Sequence, residues 1–107
     1  MKTKTAVVIV THNSELHIAK AMQCLQTQTS PANQIIIVDS GSKDYSYLKP
    51  FTALPNTEVI FAEKDIGFCR GNNIGMEKID STFDYVFFLN PDAFLTPNFL
   101  ADAADFM

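Results

Sequence analysis

Apolar residues gather into four short runs: Ala6 to Val10, Ile35 to Val38, Glu58 to Ala62, and Tyr85 to Leu89. Each is rich in β-branched or aromatic side chains and continuously apolar rather than alternating, the pattern of strands covered on both faces. Their starts lie roughly 25 residues apart, which leaves room for a helix in each gap. The first gap carries Ile18, Met22 and Leu25 at helical spacing, with Asn13 or Ser14 placed to cap that helix and Ser30-Pro31 to end it. In the second, Asp44 is placed to cap a short helix holding Tyr47, Leu48 and Phe51, with Pro50 and Pro55 limiting its length. The third gap predicts a helix from Phe68 to Ile79, with Ile74 and Ile79 available for the core. Thr96-Pro97 opens a fourth helix running to Met107, because proline fits the first turn. The resulting βαβαβαβ string predicts an α/β, Rossmann-like fold: a mostly parallel sheet with helices on both faces and right-handed crossovers.

Sheets of this kind bind ligands beyond the carboxyl ends of their strands. Here each strand is followed at once by small polar or acidic residues: Thr11-His12-Asn13, Asp39-Ser40-Gly41-Ser42, Glu63-Lys64-Asp65, and Asn90-Pro91-Asp92. Helix caps and turns favour the same residue types. Asp39 fits that explanation least, since a carboxylate straight after four aliphatic residues needs a partner, such as a ligand's N–H or ribose hydroxyl. Pro91 cannot donate to a sheet ladder, so regular pairing lapses there or the strand lies at an edge.

Length, composition and charge narrow the classes. The 107 residues make one domain at most, spanning 1–107 without repeats or an internal linker, and nine Phe and three Tyr are enough for a core. A net charge of -4 argues against a phosphate-backbone footprint, so no nucleic-acid partner is expected. Cys24 and Cys69 form no CxxC or Cys/His cluster and are expected as half-buried free thiols in a reducing compartment. The run after the basic N-terminus is too short for a signal peptide's core, and none approaches the ~20 apolar residues that span a bilayer. The expected location is cytoplasmic, with peripheral attachment at the inner membrane face left open for a full-length protein.

Several nucleotide-binding signatures are missing. The sequence has no GxxxxGK[ST], and Thr11-His12-Asn13 after the first strand is not GxGxxG. Gly67, Gly71 and Gly75, four apart, taken alone mark close helix packing or a bend. Beside Asn72 and Asn73 they also suit a nucleotide surface at a loop-to-helix junction. Asp92 emerges as a lone hard oxygen donor. One carboxylate suffices for Mg²⁺ or a similar ion when a diphosphate brings the remaining ligands.

Four ordered segments together resemble family 2 glycosyltransferases of the GT-A fold: VVIVTHN at 7–13, IIIVDSGSKD at 35–44, DIGFCRGNNIG at 65–75, and FLNPDA at 88–93. The resemblance covers nearly the whole chain. It implies that Thr11 and Asn13 lie near the base or ribose, and that Asp39 binds the base within a VDxxSxD segment holding Ser42 and closed by Asp44. Gly67, Arg70, Gly71, Asn72 and Asn73 would border the nucleotide and donor sugar. The family's DxD motif reads Asn90-Pro91-Asp92 here, which leaves Asp92 as the implied ligand of a divalent cation, Mg²⁺ or Mn²⁺. The THN and NPD spellings resemble the rhamnosyltransferase-like branch. His12 is expected as a pocket wall and His17 as a solvated residue on the first helix.

The activity so implied is inverting transfer of a sugar from a UDP- or dTDP-sugar to an acceptor saccharide or lipid-linked glycan, with a carboxylate general base. That base is expected beyond residue 107, in an acceptor-binding half. The chain is therefore expected to be a truncated nucleotide-sugar-binding domain, inactive alone, with a sheet edge exposed for homodimerisation or strand exchange. Three alternatives share the architecture. A nucleotidyltransferase should carry a Gly-rich basic loop after the first strand, and a phospho-receiver domain an acidic pair there. A non-catalytic sugar-nucleotide-binding domain would keep the same pocket.

Overall fold

The computed structural model describes residues 3–106; Met1, Lys2 and Met107 lie outside the described residues. Four parallel strands form one sheet in the order β3-β2-β1-β4, with β1 Thr5–Thr11, β2 Gln34–Ser40, β3 Thr57–Ala62 and β4 Tyr85–Leu89. Every residue of β1 is buried and all but the first of β2, as continuous apolar runs require at the centre of a sheet. β3 and β4 depart from the expectation of full burial. They are the edges of this sheet, and Phe61 and Phe88 stay 40% and 47% exposed.

Alternation along the central strands sends side chains to two faces. Val7, Ile9, Ile35 and Ile37 join Ile18, Met22 and Leu25 of α1 (Ile18–Gln26), Leu48, and Leu100 of α3 (Phe99–Phe106) in one core. Val8, Val10 and Val38 face α2 (Gly67–Glu77). Helices therefore cover both faces. Buried Gln28 joins α1 to α3: its Nε2 donates to the Thr96 carbonyl at 2.7 Å, and its Oε1 accepts the Leu100 N–H at 3.0 Å. Among the described residues no helix is long and apolar enough to cross a membrane.

Helix boundaries differ from expectation for local reasons. Neither Asn13 nor Ser14 caps α1 with its side chain. Asn13 takes a left-handed φ of 49°, Ser14 Oγ accepts the His12 N–H, and a turn through residues 14–17 delays the helix to Ile18. His17 precedes α1 rather than lying on it, exposed and edge-on to Phe94. The second connection is a 3-10 helix, Ser46–Ala53, that tolerates Pro50 inside it; Asp44 Oδ1 accepts the Ser46 N–H at its start. Thr96-Pro97 forms a turn, and α3 begins at Phe99. α2 ends at Glu77, short of the expected Ile79; its buried positions are Gly71 and Gly75, while Ile74 within it and Ile79 beyond it are only partly covered. Cys24 is partly buried, but Cys69 is exposed rather than half-buried.

Candidate functional site

Parallel pairing puts Thr11 opposite Asp39, so β1 and β2 end level and release their polar residues together. Gly41 turns the chain out of β2 with a φ of +61°. Its bare Cα lets the segment lie against the backbone of Lys64 and Asp65, where a Cβ would come within 2.4 Å of backbone atoms.

Two linked polar clusters result. In the first, Asp39 is 1% exposed and its Oδ1 accepts the Thr11 hydroxyl at 2.8 Å and the Ser42 hydroxyl at 2.5 Å. Its Oδ2 accepts the Ser42 N–H at 3.1 Å. These donors satisfy the polar oxygens of a buried side chain, which would otherwise be costly to bury. In the second, Ser40 Oγ donates to Asp65 Oδ1 at 2.9 Å and accepts the Ile66 N–H at 2.8 Å. The Gly67 N–H at the head of α2 donates to the same Asp65 oxygen. That backbone bond, with the Ser40 hydroxyl second, holds the Asp65 carboxyl below the usual carboxylate range. His12 Nδ1 lies 2.5 Å from the Ser40 carbonyl. A carbonyl only accepts, so Nδ1 carries the proton and Nε2 is left to accept from Asn13 Nδ2.

Two adjoining clefts open at this edge. One, of about 380 Å³, is lined by Asn13, Ser14, Leu16, His17, Asn90, Pro91 and Asp92. The other, of about 320 Å³, is lined by Val10, Thr11, His12, Ser14, Ser40, Asp65, Gly67, Phe68 and Pro91. Ser14 and Pro91 belong to both, so together they form a trough across the strand ends. Depressions of about 450 and 510 Å³ exist at the opposite end of the sheet. Size does not decide between them; parallel sheets present ligand sites at the carboxyl ends of their strands.

The structure brings Thr11, Asn13, Asp39 and Ser42 into one hydrogen-bonded group and sets Gly67 and Asp92 along the trough. Arg70, Asn72 and Asn73 lie within α2 instead of at a loop-to-helix junction and line neither cleft. Arg70 and Asn73 are exposed, and Asn72 Oδ1 is buried without a hydrogen-bond partner among the described residues. Gly71 and Gly75 serve close packing, since a Cβ would reach within 2.7 Å of Val10 and 2.5 Å of Val8. Asp92 is exposed in the turn closed by the Ala93 N–H to the Asn90 carbonyl. The described residues hold no cluster of three or more His, Cys, Asp or Glu that could cage a metal. A lone carboxylate such as Asp92 would fit a hard cation only if a substrate brought the remaining ligands. Sequence reasoning overlooked Tyr47, counted only as a helix residue, whose hydroxyl reaches Ser42 Oγ at 2.9 Å. Ser40 and Asp65 were visible as strand-end polar residues, but nothing in the sequence showed that they join.

A model of glycosyl transferase family 2 matches residues 6–107. The chain belongs to that family. Its fold matches the crystal structure of S. aureus TarS 1-349 with a TM-score of 0.83 at 25% identity, covering 97% of this chain and 32% of that one. The TarS 1-349 structure in complex with UDP gives the same values. The complex with UDP-GlcNAc also aligns at 0.83 and 25% identity, over 97% of this chain and 31% of that one. The all-parallel sheet flanked by helices is thus the expected GT-A architecture, and the chain spans about a third of the length of these structures. No curated protein matches it.

Proposed function

We propose that this glycosyl transferase family 2 segment binds the nucleoside diphosphate of a sugar donor in the trough across the strand ends. The observation that carries this is that Thr11 and Asn13, hydrogen-bonded to the buried Asp39–Ser42 pair, line the same trough as Asp92. The base is held near Thr11, Asn13, Asp39 and Ser42, and the diphosphate lies toward Asp92. Gly67 borders the nucleotide, while Arg70, Asn72 and Asn73, which line neither cleft, are given no contact with it. UDP is favoured over dTDP, because TarS, a match over nearly the whole chain, is seen with UDP and UDP-GlcNAc; the rhamnosyltransferase-like branch keeps dTDP as the other donor.

Asp92 is the residue that would hold Mg²⁺ or Mn²⁺, which offsets charge on the leaving diphosphate when bound. The chain's own groups do the rest. Asp39 offers an acceptor to the base, and Asp65 at the head of α2 occupies donors that would otherwise attract an anion there. In the whole protein the reaction is inverting transfer to an acceptor hydroxyl of a saccharide or lipid-linked glycan, and no described residue is assigned as its base. Self-association through the outer edge of β4 belongs to the same reading. Calorimetric titration of the chain with UDP and dTDP, with and without Mg²⁺ or Mn²⁺, tests the proposal. Metal-dependent UDP binding that disappears in Asp92→Ala supports it; binding indifferent to metal and to Asp92→Ala overturns the placement of the diphosphate.

A further inference from the structure

The hydroxyl of Tyr47 joins the two loops that carry the base-binding candidates. It accepts the Ser14 N–H at 3.1 Å and lies 2.9 Å from Ser42 Oγ and 3.4 Å from Asp39 Oδ1. Protons along this group run one way. Ser42 has a single hydroxyl proton, which goes to Asp39 at 2.5 Å, so Ser42 Oγ can only accept from its other neighbours. It accepts the Asn13 N–H at 2.8 Å, and the shorter of the two phenol contacts directs the Tyr47 proton to it as well. The order is therefore Ser14 N–H to Tyr47, Tyr47 to Ser42, and Ser42 to Asp39. Every donor points toward the carboxylate.

Two consequences follow. The loop after β1 is held to the loop after β2 through two successive backbone amides, Asn13 and Ser14. Asp39, fed by hydroxyls at Oδ1 and by one N–H at Oδ2, remains an acceptor only, with Oδ2 less occupied. Asp39 is only 1% exposed, and a ligand group that reached its Oδ2 would have to bring a proton.

We propose that Tyr47 is a positioning residue for the nucleobase. It ties the loop after β1 to the Asp39 carboxylate, and so favours uracil or thymine, which present a ring N–H, over cytosine, which presents a lone pair at that position. This inference rests on the site assigned under Proposed function.

The test uses the full chain and Tyr47→Phe, which keeps the ring and removes only the hydroxyl. Tyr45→Phe is the control, because Tyr45 is exposed and packs its ring on Phe61. UDP and CDP affinities are measured in Mg²⁺, with exchange of the Ser14 amide followed by NMR. In Tyr47→Phe, UDP should bind about fivefold more weakly, the effect of one hydrogen bond, with CDP changing much less. The UDP-to-CDP preference therefore narrows, and Ser14 exchanges faster. Ser42→Ala cuts the same chain of bonds and should narrow the preference too, which covers the case of a Tyr47→Phe chain that fails to fold. A Tyr47→Phe chain that melts lower but keeps its UDP-to-CDP preference makes Tyr47 structural only and overturns the proposal. So does unchanged Ser14 exchange. Wild-type chain binding UDP and CDP equally overturns the reading of the base by Asp39, while binding of neither overturns the proposed function itself.

Discussion

Replacing Gly41 by alanine separates a backbone requirement from a packing requirement. Gly41 has a φ of +61°, where an L side chain costs roughly 1–2 kcal/mol. The added Cβ would also sit 2.4 Å from both Asp65 N and Lys64 C, and 2.9 Å from Lys64 Cα. These are backbone atoms that no rotamer change can clear. They are anchored nearby, because Ser40 Oγ holds the Ile66 N–H and the Asp65 carboxylate. Overpacking of this kind costs about 1–3 kcal/mol, giving about 2–5 kcal/mol in all. That is a large share of the 5–15 kcal/mol typical of a whole domain. Gly67 supplies the control. Its φ is +81°, but a Cβ there meets nothing within 4 Å, so Gly67→Ala carries only the backbone part of about 1–2 kcal/mol. Urea unfolding of both variants, read at equal m-values, should place Gly41→Ala below Gly67→Ala by about 1–3 kcal/mol. Equal midpoints would refute the close approach of the two loops.

Other consequences are open to measurement. Asp39→Ala strands the buried Thr11 and Ser42 donors and should cost about 2–5 kcal/mol in thermal or urea melts, whereas exposed Asp92→Ala should stay within about 0.5 kcal/mol; equal effects would contradict the burial contrast. Gly75→Ala gains about 1 kcal/mol of helix propensity but drives a Cβ into β-branched Val8 at a cost of about 1–3 kcal/mol, for a net loss of up to about 2 kcal/mol by urea melt, and a stabilised variant would count against the tight seat of α2. Asp44, Asp65 and Asp80 all have carboxyl groups lowered from 3.8, chiefly by hydrogen bonds to Ser46, Gly67 and Thr82. Their contribution is present above 3.8 and disappears as pH falls through the lowered folded values, so urea midpoints should drop below about pH 4 and less so in Asp65→Asn. Phe88 is 47% exposed on edge strand β4, so size exclusion with light scattering should show self-association that rises with concentration and weakens in Phe88→Lys; a monomer throughout would remove that expectation.

The strands were legible because a buried parallel sheet writes itself as continuous aliphatic runs, and Val7 to Val10 and Ile35 to Val38 are unambiguous. The strand-end polar residues were legible too, since the topology sends all of them to one edge. The α1 boundary was not. Asn13 and Ser14 have the composition of caps, but their bonds go to the loop after β2 and to His12, a choice set by tertiary contacts. In α2 apolar periodicity pointed to Ile74 and Ile79, while the actual contact runs through two glycines, whose value is the side chain they lack. Tyr47 looked like a core aromatic because nothing local reveals that its hydroxyl meets Ser42 and Ser14.

The central claim is that a nucleoside diphosphate lies across the carboxyl ends of β1, β2 and β4. Amide shift mapping of the isotope-labelled chain with UDP and Mg²⁺ tests it most directly. The account predicts saturable shifts concentrated at Thr11 to Ser14, Asp39 to Ser42, Asp65 to Phe68 and Asn90 to Asp92. Shifts confined to the opposite end, around Lys4, Asn56 and Asp80, or none at all in a folded chain, would contradict it.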